Sequence, residues 1–132
     1  MESIKIGKVA KEAGVTVDTI RFYERRGVLP PPEREPSGYR RYPASTAGRI
    51  RLTRSLQALG FTLDEVVDAL VSLDTGDATC DSERWRLERV LERIDTRLAE
   101  LQRVRAEVVD VLQESQTGSC RLCRDAAGQI SP

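Results

Sequence analysis

The spacing of apolar positions changes several times along the chain. Ile6, Val9 and Ala10 recur at helical spacing, and Ala13-Gly14-Val15 closes that run. Val17, Ile20 and Phe22 or Tyr23 line a second stretch of the same period, opened by Thr16. This predicts two short helices joined by a tight turn. Gly14 can take the positive φ that ends the first helix, and the Thr16 hydroxyl can cap the second. The period is then lost in LPPPEREPSGYRRYPAS, residues 29–45. Its consecutive prolines exclude helix, and Ser37-Gly38 marks a turn between two short strands. Ile50, Leu52, Leu56 and Leu59 restore helical spacing over 44–59, with Arg49, Arg51 and Arg54 interleaved as a basic face. Gly60-Phe61 breaks that helix. Thr62, followed three residues later by Glu65, reads as a capping box that opens a helix with Val66, Val67, Leu70 and Leu73 on its apolar side. DTGDATC then reads as a loop ending in Cys80.

From Asp81 to about Gln116 there is neither proline nor glycine. Leu87, Ile94, Leu101 and Val108 stand seven apart, and Leu91, Leu98 and Leu112 fill the positions between, with Arg105 interrupting. A heptad sustained this long predicts a coiled coil. The chain offers no second helix of that length. The helix therefore pairs with its copy in a two-fold dimer, antiparallel or crossing, or folds back on the N-terminal part. The expected organisation is a helix-turn-helix domain over 1–75 and a dimerisation helix with a C-terminal loop carrying the last two cysteines over 76–132.

Composition narrows this picture. Aromatic residues are only 5% and charged residues 32%, which suits long surface helices rather than a sandwich or barrel. MESIKIGKVA contains no apolar signal core, and no stretch reaches the length of a membrane span. The expected location is the cytoplasm, with no membrane partner. A net charge of zero hides an asymmetry. Residues 1–60 hold twelve Lys and Arg against six Asp and Glu, while residues 61–132 hold nine against fifteen. A basic first half implies a polyanionic partner.

The second predicted helix would place Thr16, Asp18, Thr19 and Arg21 where a helix-turn-helix meets the major groove. Asp18, repelled by phosphate, fits stabilisation of the helix N-terminus. Tyr39, Arg40, Arg41 and Tyr42 leave the following turn, so this hairpin can act as a wing on the DNA backbone, or its aromatics can pack on the helices. The three cysteines are Cys80, Cys120 and Cys123, and there is no histidine. In a reducing compartment the C-x-x-C pair points to metal or redox chemistry rather than a structural disulfide. Arg121 and Arg124 beside it would favour thiolate. The alternative is that the cysteines are small packing residues. A thioredoxin-like enzyme would require a βαβ context that the pattern lacks, so no enzyme is expected.

The run IGKVAKEAGVTVDTIRFYERRGVL, the segment SGYRRY, the break LGFTLDEV and the long C-terminal helix together resemble the MerR family of bacterial transcription regulators. Cys80 before the long helix and a cysteine pair after it resemble the metal-sensing branch. The resemblance implies a mainly α fold, a winged helix-turn-helix followed by a long dimerisation helix in an antiparallel coiled coil. It implies a homodimer on double-stranded promoter DNA that distorts the promoter for RNA polymerase when metal binds. It assigns Thr16, Thr19, Arg21 and Tyr23 to the recognition helix and Arg40 and Tyr42 to the wing. It further implies a site in which Cys80 of one subunit joins Cys120 and Cys123 of the other. Three sulfurs without histidine suit a thiophilic ion, with Hg(II) first and Cd(II), Pb(II) or Zn(II) behind it. Cu(I) is satisfied by the pair alone. A thiol–disulfide switch at the pair is the remaining alternative. The chain departs from mercury sensors in offering Glu114-Ser115 where those place a cysteine, and in the tightness of its C-x-x-C.

Overall fold

The computed structural model describes residues 3–129, and the side chains of 127–129 lie outside that description, as do residues 130–132 of the expected second domain. The chain divides into two compact units, residues 1–86 and 87–132.

The first unit begins with β1 (Ser3–Lys5), which runs directly into α1 (Ile6–Ala13). Gly14, at φ 69°, returns its N–H to the Ala10 carbonyl and ends α1 in the left-handed conformation that favours glycine. Thr16 then caps α2 (Val17–Arg25), its hydroxyl accepting the Thr19 N–H at 3.1 Å. The proline-rich stretch yields β2 (Glu33–Arg34) and β3 (Arg40–Pro43). These strands and β1 form an antiparallel sheet ordered β1-β3-β2, with Ile4 opposite Tyr42 and Arg34 opposite Arg40. The hairpin was expected. The third strand was not: Ser3–Lys5 is too short to show a period of its own, and its partner lies some forty residues away.

Two helices complete the domain, α3 (Thr46–Ala58) and α4 (Leu63–Asp74). The expected capping box is present. Thr62 Oγ1 accepts the Glu65 N–H, and the Glu65 carboxylate accepts the Thr62 N–H at 2.8 Å. Val9, Ile20, Val28, Tyr42, Ile50, Val66 and Leu70 are almost completely buried and form the core. Burial of side chains of this size stabilises by about 1.5–3 kcal/mol each before entropy is set against it.

The basic face expected on α3 has structural duties. Arg49 donates to the Val28 carbonyl at 2.7 Å and forms a two-pronged pair with Asp74 at 2.7 and 3.0 Å. Arg51 and Arg54 donate to the Glu12 and Gly14 carbonyls, both at 3.2 Å, in the last turn and at the cap of α1, where carbonyls lack helical partners. These arginines hold helices together.

The long helix, α5 (Cys80–Gln116), starts one residue earlier than expected. Thr79 and Ser82 cap it reciprocally, each side chain accepting the other's N–H at 3.0 and 2.9 Å. Its first turns belong to the first compact unit. Arg86 is only 9% exposed and donates to Asp68 and Ser72 of α4 and to Glu83. This extends the unit past residue 75. In the second unit Leu87, Leu91, Ile94, Leu98, Leu101, Val108 and Leu112 are all about half exposed. The heptad stripe thus lies uncovered in the single chain. Gly118, at φ 82°, turns the backbone after α5, and α6 (Arg121–Gln129) follows. The segment read from sequence as a loop is a turn and a short helix.

Candidate functional site

The DNA-facing candidates lie on α2 and the hairpin. Thr16 and Thr19 sit at the start of α2, their hydroxyls 2.9 Å apart. Arg21 is half exposed and lies 3.8 Å from the almost fully exposed Asp18 in the first turn, where a carboxylate complements the helix dipole. Arg21 faces the hairpin across an open cavity of about 400 Å³, lined by Ile6, Arg21, Arg34, Gly38, Tyr39 and Arg40. Three arginines line it, and a guanidinium is a planar fork of N–H donors suited to phosphate oxygens or guanine edges, although Arg34 also donates to the Gly38 carbonyl at 3.3 Å. Tyr39, 65% exposed, projects at the wing turn with the Lys5 ammonium 5.7 Å from its ring centre.

Two residues assigned to the interface by the resemblance are core residues here. Tyr23 is 5% exposed and its hydroxyl donates to Gln57 Oε1 at 3.1 Å. Tyr42 is 1% exposed and donates to the Glu24 carboxylate. Burial, followed by that bond to Glu24, pushes the Tyr42 phenol up to about 12. A side chain already buried and satisfied has nothing to offer DNA without unfolding its surroundings. Arg40 keeps its place beside the groove, 3.9 Å from the same Glu24. Tyr39, already read from the sequence as leaving the wing turn, and Arg34, which was not singled out, also line this groove. Their signal was positional: both flank the wing turn.

The thiols occupy two separate places. Cys80 is exposed at the first residue of α5. Cys120 and Cys123 lie beyond the other end of that helix, whose 37 residues measure roughly 55 Å. Cys120 immediately precedes α6, 8% exposed, and Cys123 is exposed one turn on. Their Sγ atoms are 3.2 Å apart, and the Cys123 N–H points at Cys120 Sγ at 3.4 Å. That amide, with the neighbouring Cys123 thiol, holds the Cys120 thiol below its ordinary range, while Cys120 pushes the Cys123 thiol up. The pair therefore releases its protons in two steps. The helix-start amides accomplish what was expected of the flanking arginines. Arg121 instead turns to Glu114. Among the described residues no three Cys, Asp or Glu side chains of a single chain group closely enough to hold a metal ion.

Comparison with known proteins settles the ancestry. Residues 4–73 match the model described as MerR HTH family regulatory protein, and residues 47–111 match that described as MerR, DNA binding. The chain belongs to the MerR family. It is 39% identical over its whole length to a mercuric resistance operon regulatory protein of Serratia marcescens, covering 93% of that protein. The MerR regulator of Bacillus megaterium MB1, solved in complex with mercury(II), superposes with a TM-score of 0.63 at 34% identity, covering 83% of this chain and 85% of that one. PbrR691 of Ralstonia metallidurans CH34, solved in complex with lead(II), gives a TM-score of 0.77 at 29% identity, covering 84% of this chain and 87% of that one. MerR proteins are DNA-binding transcription regulators, and this chain is one, not an enzyme. Among the described residues no helix is long and apolar enough to cross a membrane.

Proposed function

We propose that this MerR-family chain is a metal-responsive regulator that binds promoter DNA as a homodimer and acts in the cytoplasm. Residues 1–75 carry the DNA-binding role and residues 76–132 carry dimerisation and sensing. Thr16, Thr19, Arg21 and Arg40 meet DNA, joined by Arg34 and Tyr39 around the groove. In the antiparallel arrangement, the start of one α5 lies beside the end of the other. The partner subunit's Cys80 then completes a three-thiolate site with Cys120 and Cys123.

The observation that carries this reading is the division of the thiols: two in contact at the start of α6, the third at the far end of a 37-residue helix. No fold of α5 as one straight helix unites them within a chain, whereas a partner running the opposite way does. The donor set is sulfur alone in a chain without histidine, which suits soft ions. Hg(II) is our first choice, supported by the mercuric resistance relative and the mercury(II) complex. The lead(II) complex keeps Pb(II) next, and Cd(II) and Zn(II) follow. A bound ion supplies a bond between loops of two subunits. It biases the promoter complex toward the form RNA polymerase can use only by its greater affinity for that form. Titration of the reduced protein with Hg(II), Pb(II) and Cd(II), followed by thiolate-to-metal absorption, tests the assignment. One ion per subunit, lost in Cys80→Ser, is the expected result. Unchanged binding in that variant contradicts the shared site and moves the reading to Cu(I) held by the pair.

The 3.2 Å sulfur contact also favours a second reading, a thiol–disulfide switch. Hydrogen peroxide would take two electrons and two protons from the pair, forming one S–S bond and leaving as two waters. Loss of two hydrogens by intact mass, with a changed promoter response in the absence of metal, is its signature.

A further inference from the structure

The turn between α5 and α6 is held by a side chain that the sensing chemistry does not itself use. Glu114, in the last turn of α5, reaches across it. Its carboxylate accepts the backbone N–H of Arg121 at 2.8 Å and the Arg121 guanidinium at 2.9 Å, with a longer contact to Nε at 3.3 Å. Arg121 is the first residue of α6, and its N–H is one of the donors a helix start leaves without a helical partner. One carboxylate thus caps α6 from outside and pairs with its first side chain. The Arg121 contacts, side chain first and then backbone, hold the Glu114 carboxyl below its ordinary range.

This places the thiol pair between two fixed points. Cys120 immediately precedes Arg121, and Cys123 lies two residues after it. The Cys123 N–H and the Cys120 sulfur meet only if α6 starts where it does. The backbone from 117 to 120 is otherwise a turn, held by the Thr117 and Gly118 N–H groups on the Glu114 and Ser115 carbonyls, each at 3.1 Å. The clasp therefore ties the pair to the end of α5, the element that carries the dimer stripe.

We infer that Glu114 is a positioning residue for the metal site: its clasp on Arg121 presets Cys120 and Cys123 for a thiophilic ion. This rests on the metal-sensing reading above. Glu114 touches no metal. It acts as carboxylates behind metal ligands do, by fixing their orientation in advance, and the loss of such a partner typically weakens metal binding by about 10–100-fold.

The test compares wild type, Glu114→Ala and Glu114→Gln as reduced, full-length protein. Amide hydrogen exchange on the metal-free protein reads the clasp by itself. Glu114→Ala should speed exchange over residues 117–123 while leaving the middle of α5 unchanged. Glu114→Gln keeps an oxygen that can accept the Arg121 N–H, and should fall between. Hg(II) affinity, measured by competition with a soluble dithiol, should drop about 10–100-fold in Glu114→Ala and less in Glu114→Gln. Operator affinity without metal should match wild type in both variants. Unchanged exchange in Glu114→Ala overturns the clasp. Faster exchange with unchanged Hg(II) affinity overturns its positioning role. If wild type itself binds no Hg(II), Pb(II) or Cd(II), the metal-sensing reading falls and the positioning role with it. The exchange comparison still shows whether the clasp exists.

Discussion

Cys120 Sγ lies 3.2 Å from Cys123 Sγ and accepts the Cys123 N–H at 3.4 Å. The helix start thus supplies one thiol of lowered pKa beside one of raised pKa. In the proposed three-sulfur site these are two of the ligands, and the more acidic sulfur is the more buried. Replacing it removes a ligand and leaves the DNA-binding residues untouched. Cys120→Ser is expected to lose the three-sulfur absorption with Hg(II) and the metal-induced transcript. Its operator affinity without metal should equal wild type, as measured by fluorescence anisotropy.

Arg21 supplies a test of the DNA face. It is half exposed on α2 and borders the groove shared with Arg34 and Arg40. Arg21→Ala should weaken operator binding and, if the contact is to phosphate, reduce the slope of log affinity against log salt by about two units for the dimer, one from each subunit. Metal affinity should not change. An unaltered affinity and slope would remove Arg21 from the interface.

Much of this arrangement was legible because it is local. Gly14, Thr16 and the Thr62–Glu65 box act within four residues of themselves, so the chain announces these helix ends wherever the domain packs. The long helix was equally plain, since thirty-odd residues without glycine or proline leave few alternatives. What escaped depends on distant partners. Strand Ser3–Lys5 exists because β3 lies beside it. The resemblance set Tyr23 and Tyr42 at the interface, whereas their apolar spacing and expected packing pointed to the core, where they lie with Gln57 and Glu24 meeting their hydroxyls. Arg49, Arg51 and Arg54 looked like a basic face, and each answers to a carbonyl or a carboxylate set by the fold. At the thiol site the cysteines were visible. Their placement at a helix start was not, because Leu122, Cys123 and Ala126 are too short an apolar run to tell a helix from a loop.

Tyr42 links packing to pH. Its phenol is raised from 10.0 to about 12 by burial and by Glu24. A raised folded-state pKa contributes stability that is complete below the unfolded value and is lost as pH climbs through the folded one. Melting temperature should therefore fall between about pH 10 and pH 12, and Tyr42→Phe should flatten that fall. At neutral pH the same variant leaves the Glu24 carboxylate short of a donor and should cost about 1–3 kcal/mol. Chemical denaturation at the two pH values checks both effects.

The stripe on α5 predicts the assembly. Leu98 is 52% exposed in the single chain. Fully burying a leucine is worth about 1.5–3 kcal/mol, so covering its exposed half is worth roughly 1 kcal/mol, twice over in a two-fold dimer, and a glutamate there would also carry a charge into the apolar seam. Leu98→Glu should therefore loosen the dimer by more than about 100-fold. Sedimentation should show a monomer with helical content close to that of wild type, and metal binding should fall with dimerisation.

The shared site itself is tested most directly by mixing subunits. One subunit carries Cys80→Ser, and the other carries Cys120→Ser with Cys123→Ser. Neither homodimer holds three thiols in any one site. In the heterodimer, one site regains all three if the ligands come from opposite chains. The expected result is three-sulfur Hg(II) absorption in the purified heterodimer, at one ion per dimer, and none in either homodimer. A heterodimer that also lacks this absorption would contradict the account.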